Sequence, residues 1–178
     1  AVNLFGQPGE PVTGVRAANA NTIDEVPDSS WFTNRIVARR VSIDEVVRGS
    51  QAGAGPARGR WTVIGAKEVG FAPGFTMQDA AGETWFVSLD ARGYPEAATG
   101  AILVANKIFW TLGYWQTDNV LIHVAPDRLD IGDTATYRPM SGQRRRMRQD
   151  DLDEVWRRSE PSRDGSYRAV ASRQLTGK

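Results

Sequence analysis

Cysteine is absent from the 178 residues, and histidine occurs once, as His123. Without thiols there is no disulfide framework and no thiolate metal site, and a single imidazole leaves zinc short of its usual donors. Long apolar runs are missing too. The longest lies around Ala101–Ala105, far short of the roughly 20 residues that cross a bilayer as a helix. Neither sign of charge is in excess: Lys and Arg number 22, Asp and Glu 21, and the net charge of +1 gives no global attraction to nucleic acid or an anionic surface. Ala1-Val2-Asn3-Leu4 lacks the basic segment and apolar core of a secretory signal. No Met opens the chain, so a processed or engineered start is expected. No internal repeat is visible.

What remains is ordinary for a folded protein. Hydrophobic residues make up 40% and charged residues 24%, which argues against global disorder. The length suits one domain with arms. Residues 1–48 read as an N-terminal arm followed by a short strand and a short helix. Gly6, Pro8, Gly9, Pro11 and Gly14 break any periodicity in the arm. Trp31 and Phe32 close it, two large aromatics expected to dock on a core or a partner. Ser42 and Glu45 have capping-box spacing, with Ile43, Val46 and Val47 following at helical intervals. Residues 49–59, rich in Gly and Ala, read as a linker.

A compact unit is expected over residues 60–133. Trp61-Thr62-Val63-Ile64, Phe75–Asp79 and Thr84–Asp90 read as strands, with Trp85, Val87 and Leu89 on one face of the third and Phe86, Ser88 and Asp90 on the other. Pro95 and Glu96 suit the start of a helix. Its apolar stripe of Ala101, Ile102, Ala105, Ile108, Phe109 and Leu112 would pack on the sheet, and Gly113 would stop it. Asn119–Val124 reads as a fourth strand and Arg128–Gly132 as a short fifth. Residues 134–178 are expected to form a basic loop, a helix near Asp150–Arg158 and an extension. The fold class is therefore α+β: a mainly antiparallel sheet of about five strands with one major packed helix, a second short helix and an arm.

Strand, strand, strand, helix, strand, strand is the order of a kinase small lobe. The segment Trp61–Tyr114 resembles the first lobe of atypical bacterial kinase-like proteins related to the spore-coat kinase and HipA-type groups. Asn21–Arg35 resembles a segment preceding that lobe in uncharacterised, often exported proteins, which implies a periplasmic or envelope-associated location. The resemblance implies that the third strand should carry a lysine for nucleotide phosphates, paired with a helix glutamate. Ser88 stands at that position, and a serine brings no charge. Glu96 stands near the place of the glutamate, and Lys67 could reach phosphates from another direction. Gly65, Gly70 and Gly74 lie between two strands, as a phosphate-covering loop would. Their spacing is neither G-x-G-x-x-G nor a P-loop, and a hairpin with a turn at Pro73-Gly74 explains them equally.

No large-lobe machinery follows: no H-R-D begins at His123, no D-F-G occurs, and too little chain follows residue 133. Paired carboxylates at Asp24-Glu25 and Asp150-Asp151 offer no acid–base pair, since strand neighbours diverge and the second pair suits a helix start. His123 is expected to pack or to sit at a strand edge. The expected function is a non-catalytic interaction module, a subunit or lobe of something larger. Its partner would be another protein or the rest of a longer chain, met through Trp31, Phe32, Arg144, Arg145, Arg146 and Arg148. No cofactor is expected on this reading. A second reading is the nucleotide-holding lobe of a longer phosphotransferase, using Lys67, Gly70, Gly74, Ser88 and Glu96. A third is nucleic-acid association through Arg144–Arg148, against which stands the absence of interleaved aromatics.

Overall fold

The computed structural model describes residues 28–51, 53–67, 70–139 and 142–175. Most of the expected arm, with the Asp24-Glu25 pair, lies outside them. In chain order come α1 (Arg35–Ala38), α2 (Ile43–Arg48), β1 (Trp61–Ala66), β2 (Gly74–Gln78), β3 (Thr84–Leu89) and α3 (Ala97–Leu112). Then follow β4 (Asn119–Val124), a 3-10 turn (Pro126–Arg128), β5 (Leu129–Tyr137), β6 (Arg145–Arg146), α4 (Gln149–Arg158) and β7 (Tyr167–Arg173). The strands form one seven-stranded sheet in the order β4-β7-β3-β2-β1-β5-β6. Every pairing is antiparallel except that of β1 with β5.

The fold class is α+β, as the patterning indicates, with seven strands rather than about five. Three local expectations change. The segment after Asn34 is helical in both parts, α1 and α2, with no strand; the Ser42–Glu45 capping box forms as its spacing requires. The fifth strand continues to Tyr137 and is joined by β6, so the polar stretch from 134 is partly sheet. The C-terminal extension supplies β7, which enters between β3 and β4 and pairs with both.

Alternation builds the core. Trp85, Val87 and Leu89 of β3 lie beside Met77 and Phe75 of β2 and Ala171 and Ala169 of β7, all buried. Helix α4 closes this face with Leu152 and Val155, and Trp156 sets its ring 5.7 Å from Phe75 and 4.7 Å from Tyr167. Acidic Asp150 and Asp151 at its first turn and Arg157 and Arg158 at its last suit the macrodipole. The stretch expected as a linker is tied to the body by hydrogen bonds. Ser50 Oγ lies 2.9 Å from both Asn106 Oδ1 and the Thr117 carbonyl, Ala57 N–H donates to Asp79 Oδ2 at 2.8 Å, and the Trp61 indole donates to the Ala57 carbonyl at 2.7 Å.

Helix α3 packs against β3, β4 and β7 on the opposite face. Its rotation is set at its first turn. Asp90, 2% exposed at the end of β3, accepts from Thr99 N–H at 2.9 Å and Thr99 Oγ1 at 2.7 Å, and lies 3.6 Å from the Arg168 guanidinium of β7. Arg168 also donates to Thr99 Oγ1. A buried carboxylate without these partners would be costly, and removing it strands a guanidinium and a helix terminus. Asp90→Ala is expected to lower the unfolding free energy by about 3 kcal/mol, measured by urea titration, with Asp90→Asn losing less because it keeps an acceptor for Thr99.

Candidate functional site

The residues singled out for phosphate binding fall into two groups. Lys67 follows β1, and its N–H donates to the Gly74 carbonyl at 3.0 Å. Its aliphatic stem lies over both glycines: a Cβ on Gly74 would sit 3.4 Å from Lys67 Cδ, and one on Gly70 would sit 3.7 Å from Cε. Gly70 adopts φ +104°, which favours glycine. Gly74 has a different reason. A Cβ there would come 2.2 Å from the Val87 carbonyl oxygen, so close β2–β3 approach alone demands glycine. That favours the hairpin explanation for this position. Ser88 is the Cα partner of Gly74 across the β2–β3 ladder and is half-buried.

Lys67, Gly70 and Gly74 border a hollow of about 310 Å³ with Tyr137, Asp151 and Arg158. On the other face, Lys67 joins Ile64, Thr76, Thr136 and Arg144 around a second of about 490 Å³. Desolvation lowers the Lys67 pKa below its ordinary value. Glu96 belongs elsewhere. It caps α3 in a left-handed conformation, φ 63°, is exposed, and borders a separate hollow with Asp90, Glu160 and Arg168. Helix α3 itself contains no acidic residue. The lysine–glutamate pair of a phosphate-gripping lobe is therefore not built from Ser88, Glu96 or α3.

The expected partner-binding residues also separate. Trp31 is 63% exposed, whereas Phe32 is 4% exposed and packs edge-on to Tyr114 at 5.4 Å. The anchor next to them is Arg35, which sequence patterning does not reveal. Its guanidinium lies 4.7 Å from the ring centroids of both Trp110 and Trp115 and donates to the Trp110 carbonyl at 2.6 Å, closing the C-terminal end of α3. Gly113, φ 118°, leaves room for this: a Cβ there would meet the Thr33 carbonyl oxygen at 2.4 Å.

The arginine run is divided in the same way. Arg145 forms a fork to Asp151, 2.7 Å to each carboxylate oxygen, and its guanidinium carbon lies 5.3 Å from the Tyr137 ring centroid. Arg148 N–H donates to Asp151 Oδ2 at 2.8 Å as α4 begins. Arg144, Arg146 and Arg148 present exposed side chains. His123 is an exposed residue of β4, the strand at one end of the sheet. Among the described residues, no cluster of three or more His, Asp or Glu side chains could hold a metal ion, and no helix is long and apolar enough to cross a membrane.

The largest departure from expectation concerns α3. Most of the stripe expected to pack on the sheet points outward: Ala101, Ala105, Ile108, Phe109 and Leu112 are exposed, with Ala97 and Val104 beside them, and only Ile102 is half-buried. The buried residues are Thr99 and Asn106. Their polarity hides the inward face from a hydropathy reading; Thr99 is held by Asp90, and Asn106 donates to the Thr117 carbonyl at 3.1 Å.

The Arg145 fork, with a smaller part from the Arg148 N–H, holds the Asp151 carboxyl below its ordinary range against the opposing effect of burial. A depressed carboxylate contributes stability above its unfolded pKa of about 3.9 and loses it as pH falls through the lower folded value. Melting temperature is expected to drop below about pH 4, and Arg145→Met should flatten that acid limb while lowering stability at neutral pH. Comparison with known proteins places no neighbour beside this arrangement: no family model matches the chain, and no curated protein or solved structure does.

Proposed function

We propose that the chain is a non-catalytic interaction module with a kinase-like small-lobe plan, working as a subunit or lobe of a larger assembly. The observation that carries this reading is the outward face of α3. Lys107, the one charged residue of α3, is half-buried and donates to the Val47 carbonyl of α2, so no charge interrupts that face. The neighbouring α2 exposes Ile43 at 81% and Val47 at 60%. A contiguous apolar face of this kind marks a contact surface, where scattered apolar residues would not. The order of strands and helix through β1, β2, β3, α3 and β4 supports the small-lobe plan. Ser88 on β3 and the lack of any carboxylate within α3 support a module without phosphoryl transfer.

A second reading, the nucleotide-holding lobe of a phosphotransferase, is favoured by Lys67. Its ammonium is partly desolvated beside Gly70 and forms no ion pair with another described residue. The two readings part on ATP. With Mg²⁺ and ATP the module is expected to show no hydrolysis above a no-protein control and no rise in melting temperature. ATP-dependent stabilisation that disappears in Lys67→Met would transfer the chain to the second reading. Arg145, already committed to Asp151, weighs against the nucleic-acid reading; retention on DNA or RNA with a steep salt dependence would revive it.

A further inference from the structure

We propose that the partner of α3 is a second copy of this chain, its α3 lying antiparallel across a two-fold axis between Val104 and Ala105. The inference rests on the interaction-module reading and names what that module binds. Ala97, Ala101, Val104, Ala105, Ile108 and Leu112 are all exposed. At about 100° per residue they fall within an arc of roughly 100°, the width of a helix-packing stripe. Thr99 and Asn106, on the opposite side, face the sheet.

The order of sizes along the stripe is what selects a second copy. Antiparallel pairing about that axis brings Leu112 of one chain opposite Ala97 of the other, Ile108 opposite Ala101, and Val104 opposite Ala105. Every larger side chain meets an alanine, so knobs and sockets repeat on both halves of an isologous contact. A partner of different sequence would require no such mirrored order. The pairing also brings no like charges together, since Lys107 is the only charge on α3 and is held by α2. Antiparallel helices also set their dipoles favourably. Phe109 and, on α2, Ile43 and Val47 flank the stripe with further exposed apolar surface.

Sedimentation velocity on the intact chain should give a species of twice the chain mass. Ile108→Glu and Ala101→Lys should each weaken self-association by about 100-fold or more, because each buries an unpaired charge. Combining the two in one chain should restore the dimer, since the axis sets each new charge against its opposite on the other copy. Both positions are exposed in the single chain, so circular dichroism and melting temperature should stay near wild type. The absence of native cysteine adds a direct readout. Ala105→Cys lies beside the axis and should form an intermolecular disulfide on mild oxidation. Ala97→Cys, whose two copies would lie about 22 Å apart at 1.5 Å per residue, should not. A monomeric wild type at high micromolar concentration, or a dimer untouched by Ile108→Glu, would overturn the proposal while leaving the interaction-module reading in place. ATP hydrolysis lost in Lys67→Met would remove that reading without altering the mass of the dimer.

Discussion

The carboxylate of Asp90 decides which way α3 faces, and most of the surface follows from that. It is almost wholly removed from water, so it must be satisfied from within. Thr99 supplies two donors from the first turn of α3, and Arg168 supplies positive charge from β7. One group therefore fixes a strand end, a helix and the strand that completes the sheet. At the other end of α3, Arg35 and Gly113 seat the N-terminal segment against the helix, and Ser50 joins Asn106 midway. With polar anchors at both ends and in the middle, the helix has no rotation in which its alanine and aliphatic stripe could turn inward.

The sheet was legible where each strand carries its own period. β3 alternates Trp85, Val87 and Leu89 against Phe86, Ser88 and Asp90, and the inner set is buried as alternation requires. The α4 boundaries and the Ser42–Glu45 cap were legible for the same reason, since the signals lie within a few residues. β7 was not. It has arginines near both ends, and it becomes an interior strand only through pairing with β3 and β4, which lie far away in sequence. Local propensity carries no information about such partners.

The candidate site shows the same division. Lys67, Gly70 and Gly74 are close in sequence and meet in space. Glu96 stands at the start of α3 as patterning indicates, as its cap in a left-handed turn, but it joins a different hollow from Lys67. Arg145 reads as part of a basic run, whereas its guanidinium forks onto Asp151 in the first turn of α4. For α3, hydropathy identified an apolar stripe correctly and assigned all of it but Ile102 to the wrong side. Amphipathicity reports that a helix has two faces; it does not say which one meets the sheet when the inner face carries bonded polar groups.

The place of β7 has a consequence for the order in which this protein comes together. β3 and β4 do not pair with one another; each waits for a strand made more than forty residues after β4. While the ribosome is still delivering that stretch, β1, β2 and β3 can form their hairpins, but α3 has neither Arg168 nor a finished sheet beneath it. The nascent chain thus carries two unpaired strand edges and an unsupported apolar helix at the same time. Chaperone attention during synthesis, and a folding rate governed by distant contacts, are the natural companions of such a topology.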